Sequence, residues 1–96
     1  MRPLRALVEA NRAEIKAIVS RHRGRSVAIF GSVARGDETP ESDIDLLVEF
    51  EPGASLLDLA RIKLDIEDFI GRTVDVVSLG SLLVGDDDVR RDAVTL

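Results

Sequence analysis

Ninety-six residues, 45% of them hydrophobic and none of them cysteine, suffice for one domain spanning 1–96 with a modest core. The composition excludes disulfides, thiolate metal sites and a cysteine nucleophile together. A net charge of −5, with three phenylalanines as the whole aromatic content, argues against general nucleic-acid binding, where affinity comes mainly from phosphate neutralisation. The charge is unevenly spread. Basic residues crowd residues 1–25, whereas between Arg35 and Arg61 there is none, and Asp37, Glu38, Glu41, Asp43, Asp45, Glu49, Glu51 and Asp58 accumulate there. That acidic block would attract cations.

In chain order, Leu4, Leu7, Val8, Ile15, Ile18 and Val19 fall at helical spacing and predict an amphipathic helix over 3–22. Pro3 suits its first turn, the Arg21-His22-Arg23 cluster its C-terminal dipole, and Gly24 its stop. The N-terminus has no signal-peptide core and no segment is long enough to span a bilayer, so a cytoplasmic protein is expected. Residues 26–30 (SVAIF) read as a short buried strand ended by Gly31, followed by about one helical turn near Val33–Arg35. Residues 43–50 alternate, with Ile44, Leu46, Val48 and Phe50 on one face and Asp43, Asp45, Leu47 and Glu49 on the other.

Ser55 with Asp58 three residues on resembles a capping box. Leu56, Leu59, Ile62, Ile66, Phe69 and Ile70 are the expected buried stripe of the helix that follows, closed by Gly71. Residues 73–79 (TVDVVSL) predict a third strand carrying Asp75 between valines, and the tail reads as a loop and a short terminal helix. The sum is an α/β (α+β) protein of order αβαβαβα, a three-stranded sheet with helices packed on one face. Asp43, Asp45 and Asp75 are left on the open face.

Carboxylates two apart on a strand point the same way, about 6–7 Å apart at Cα. At an effective dielectric of 20, two brought to about 4 Å repel by roughly 4 kcal/mol. A hard divalent cation relieves such repulsion, and a few protein oxygens completed by water and substrate phosphates are how Mg²⁺ is usually held. A lone D-x-D on a strand is more often a solvated pair. Upstream, however, Gly31-Ser32 sits at a strand-to-helix junction, where backbone N–H groups and a hydroxyl suit a phosphate. Arg35 adds a charge for a phosphate oxygen. Taken without the aspartates, Gly31-Ser32 is equally a plain turn with an N-cap serine.

Gly31-Ser32, ten residues, then Asp43-Ile44-Asp45 resembles the G-S-x10-D-x-D signature of the DNA-polymerase-β-like nucleotidyltransferase superfamily. More closely, GSVARGDETPESDIDLLVEF resembles the minimal nucleotidyltransferases, which include MntA-type antitoxins paired with HEPN-domain toxins. The likeness runs over nearly the whole chain. It implies a three-stranded mixed sheet, two Mg²⁺ ions, and transfer of a nucleoside monophosphate, typically from ATP. For such antitoxins it implies AMP transfer to a tyrosine of a cognate HEPN toxin. On this resemblance Gly31 and Ser32 hold the triphosphate with help from Arg35, Asp43 and Asp45 bridge the two ions, and Asp75 completes the site of the ion that activates the acceptor hydroxyl. The acidic Gly85-Asp86-Asp87-Asp88 segment departs from the pattern and withholds any carry-over of partner contacts there.

His22 is expected at the surface serving the helix dipole, and Asp86–Asp88 as exposed loop. Nearly every segment builds the platform, which favours an acceptor that brings its own surface, such as a protein. The competing readings are a non-catalytic antitoxin that occludes its partner, and a free-standing transferase acting on a small molecule or an RNA end. Occlusion needs neither Gly-Ser nor three aspartates.

Overall fold

The computed structural model describes residues 3–36, 39, 41–79 and 93–96. The predicted single N-terminal helix is two, α1 (Pro3–Ala10) and α2 (Arg12–Arg21). Asn11 breaks them: its Nδ2 donates to the Leu7 carbonyl at 2.8 Å, the local backbone competition that makes asparagine a poor mid-helix residue. The stop also falls earlier than expected. Arg23 takes the left-handed conformation at φ 63°, and Gly24 already opens strand β1 (Gly24–Phe30). Gly24 is required there for a different reason, since a Cβ would sit 2.8 Å from the Val19 carbonyl oxygen.

The short helix α3 (Gly31–Arg35) follows directly and ends at Gly36, with φ 82°. Strand β2 (Ile44–Phe50) leads to helix α4 (Leu56–Ile70) and strand β3 (Val74–Ser78). The capping box at α4 is present, the Ser55 N–H donating to Asp58 Oδ2 at 2.9 Å, and Gly71 closes the helix at φ 78°.

Among the described residues the sheet has four strands, not three. Val94–Thr95 form β4, which pairs antiparallel with β1 through Ala28↔Thr95 and Ile29↔Val94. A two-residue strand has no alternation to read, and its pairing is fixed by the tertiary neighbour β1. The tail is expected from sequence to end in a short helix; its described residues, 93–96, instead carry β4, and residues 80–92 lie outside the described residues. Strand order is β3-β2-β1-β4, β1 and β2 antiparallel, β2 and β3 parallel, so the sheet is mixed.

Helices cover one face. Val8, Ile15, Val19, Ile62 and Ile66 pack against Ile29, Ile44, Leu46, Val48 and Val74, all at 0–1% exposure. Removing side chains of this size from water drives the fold at about 1.5–3 kcal/mol each. The other face divides in two. Midway along β1 and β2 it is apolar, with Ala28 and Leu47 buried side by side and Leu79 and Ala93 close to them, bordered by Ser26, Glu49 and Thr95. The aspartates stand at the other end, beside the β1–α3 turn.

Candidate active site

β1 delivers the turn. Strand pairing places Phe30 opposite Asp45, so Gly31 arrives directly beside the Asp45 carboxylate. A Cβ on Gly31 would lie 3.2 Å from Asp45 Cγ and closer still to Oδ2. Gly31 also needs φ 72°, a region costly for residues with a side chain. Glycine is therefore required twice over at this point. Ser32 follows in α3 half-buried, Val33 anchors the turn in the core, and Arg35 stands exposed at the helix end.

The parallel ladder sets Asp45 opposite Asp75, the cross-strand neighbours expected to interact most. Asp43 lies just before β2, exposed like Asp75, whereas Asp45 is half-buried. Asp45 has its pKa raised, first by burial and then by the charges of Asp75 and Asp43, with Arg35 pulling it back down. Asp43, Asp45, Asp75 and Arg35 thus share one electrostatic neighbourhood, and Gly31 is packed against it. Among the described residues, however, no three His, Asp or Glu side chains close into a set that could hold a metal ion. The donor chemistry is right for a hard cation, all carboxylate oxygen, but its coordination would have to be completed by phosphate oxygens and water.

Residues the sequence reading passed over hold this arrangement. Arg5 Nη1 donates to the Ala34 carbonyl at 3.1 Å while its Nε pairs with Glu9 at 2.9 Å, tying α1 to the turn of α3. Arg72 Nη2 donates to the Ser42 carbonyl at 3.3 Å, and the Ile44 N–H to the Thr73 carbonyl at 3.1 Å. The residues on either side of Asp43 are therefore both tethered to the α4–β3 connection. Lys63 and Glu67 grip the start of β3. The i,i+4 spacings of Arg5/Glu9 and Lys63/Glu67 were visible in the sequence, but the Ala34 and Val74 backbone groups they also bind follow from the tertiary fold. His22 lies away from the site. From the C-cap of α2, where its N–H donates to the Val19 carbonyl, its Nε2 sits 2.7 Å from Asp65 Oδ2 and joins α2 to α4. Asp86–Asp88 lie outside the described residues.

The fold thus brings the Gly31-Ser32 turn against carboxylates carried on two parallel strands. Residues 12–94 match the family model described as a nucleotidyltransferase domain, and the chain belongs to that family. Its relatives place it among the minimal nucleotidyltransferases. A candidate minimal nucleotidyltransferase of solved structure is 44% identical, covering 93% of this chain and 95% of that one at TM-score 0.78. Protein adenylyltransferase MntA of Thermococcus cleftensis is 35% identical over 80 residues, 75% of this chain and 81% of its own length. A toxin–antitoxin structure with AMP-PNP is 20% identical at TM-score 0.75, covering 88% of this chain and 71% of that one, and shares the fold. Among the described residues no helix is long and apolar enough to cross a membrane.

Proposed function

We propose that this single domain transfers AMP from ATP to a tyrosine hydroxyl of a cognate HEPN-type toxin in the cytoplasm, and so acts as its antitoxin. The observation carrying this reading is the strand register, which sets Asp45 against Asp75 on one side and Gly31 on the other. The adenylyltransferase activity named for the Thermococcus relative and the AMP-PNP held in a toxin–antitoxin structure of the same fold support ATP and a protein acceptor.

In the reaction the acceptor oxygen bonds to the α-phosphorus, the α–β phosphoanhydride bond breaks, pyrophosphate leaves and the hydroxyl proton is lost to solvent. Ser32 and the backbone N–H groups beside Gly31 bind phosphate oxygens, and Arg35 offsets their charge. Asp43, Asp45 and Asp75 would hold two Mg²⁺, which when bound lower the acceptor's pKa and neutralise the leaving pyrophosphate. Without a side chain at Gly31, the Asp45 carboxylate packs directly against the turn.

The partner that co-purifies with this chain, incubated with ATP and Mg²⁺, is expected to gain the mass of AMP on a tyrosine. Cells expressing the partner should be protected by wild type and not by Asp43→Asn, although that variant still binds. Full protection by Asp43→Asn would replace enzymatic neutralisation with occlusion.

A further inference from the structure

We propose that Lys63 and Glu67 are positioning residues for the carboxylate site, acting through the backbone of Val74 on the edge of the sheet. This rests on the metal-holding role proposed for Asp43, Asp45 and Asp75. In a sheet ordered β3-β2-β1-β4, β3 has a strand on one side only among the described residues. Because the Ile44 N–H bonds to the Thr73 carbonyl, the Thr73 and Asp75 backbone groups face β2, and those of Val74 face outward. An outward N–H and C=O normally go to water or invite another strand.

Here both are taken by α4. Lys63 Nζ donates to the Val74 carbonyl at 2.7 Å, and Glu67 Oε2 accepts the Val74 N–H at 2.9 Å. The same Nζ and Oε2 meet at 2.8 Å, closing a ring of three hydrogen bonds. The Glu67 carboxyl is held below the usual carboxylate range by the Lys63 hydrogen bond and then by the Val74 N–H, as expected for a charge held in place. Val74 itself is at 0% exposure beneath the helices, so side-chain alternation sends Asp75 to the opposite face, beside Asp45.

The mutual repulsion of the aspartates pushes the edge strand away from β2. A clamp on Val74 opposes that push and fixes where the Asp75 carboxylate stands before any cation arrives. Outer partners that orient ligands typically matter by about 10–100-fold in metal affinity.

The test is isothermal titration of the intact chain with Mn²⁺ alone, with Mn²⁺-induced broadening of the Asp75 amide signal as a second readout. Lys63→Met should weaken Mn²⁺ binding about 10–100-fold and reduce the broadening at Asp75, and Lys63→Arg should restore both. Ile18→Val, a buried change on α2, lowers stability without touching the edge and should leave Mn²⁺ affinity unchanged. Wild-type Mn²⁺ affinity in Lys63→Met, or a loss that Ile18→Val reproduces, overturns the positioning role while leaving the metal site standing. If Asp45→Asn binds Mn²⁺ like wild type, the metal site fails and the positioning role with it.

Discussion

At Gly31 two constraints coincide, a left-handed backbone and a neighbouring carboxylate, and they separate on substitution. Gly31→Ala incurs about 1–2 kcal/mol for the backbone, and its methyl must displace Asp45. The variant should melt lower than wild type and lose stabilisation by ATP; melting indistinguishable from wild type would mean that Gly31 is not held in this conformation. Asp45 gives a pH signature. Its pKa is raised in the folded protein, so between the ordinary carboxylate value and the raised one the fold holds more protons than the unfolded chain, and this group's contribution falls as pH rises through that window. Asp45→Asn should therefore make the metal-free protein at least as stable as wild type at neutral pH in urea titrations. The advantage should vanish once the pH drops below the carboxylate range. A variant less stable at neutral pH would show that Asp45 is not under strain. The Gly-Ser spacing and the D-x-D pair were legible in the sequence because they are local. That Asp45 is the half-buried carboxylate was not, because its burial follows from its packing against Gly31 and its place in the sheet.

The elements were legible where their signals are local and misread where a neighbour decides. α4 illustrates both. Its capping box and its closing glycine are side-chain and backbone chemistry within one turn, and both are present. Its expected stripe holds at Ile62 and Ile66, at 0% exposure, but Leu56 is 84% and Phe69 46% exposed. Periodicity fixes which residues share a face, not how far the helix axis rolls or where the sheet beneath it ends. Leu56 lies in the first turn near Phe50 and Ser78, and Phe69 lines the groove toward Ile18 and His22 of the α2 side. Truncation should report the difference. Ile62→Ala should cost about 2–5 kcal/mol by leaving a cavity, whereas Leu56→Ala should stay within about 0.5 kcal/mol, both by urea denaturation. Comparable losses at the two positions would contradict this assignment of α4's faces.

Over the whole molecule the core and the charged site occupy opposite faces of one sheet. The main hydrophobic cluster forms on the helical side without the aspartates. A ligand that neutralises them therefore acts on the folded state without repacking the core, and it bridges the β1–α3 turn, β2 and β3 at once. Anything that binds the native protein and not the unfolded chain stabilises by mass action, about 2.7 kcal/mol at a concentration one hundred times Kd. Mg²⁺ with ATP should raise the melting temperature of wild type, and Mg²⁺ without nucleotide should do so less, because phosphate oxygens complete the coordination. On the proposed role of Ser32, Ser32→Ala removes one phosphate contact and no core packing. It should keep the ligand-free melting temperature and lose part of the ATP-dependent rise, with transfer slowed about ten- to a hundredfold if a hydrogen bond to a charged group is lost in the transition state. Asp45→Asn should abolish the rise altogether. An equal rise in wild type and Asp45→Asn would mean that nucleotide binds elsewhere on the chain, and that the open-face carboxylates are not its seat.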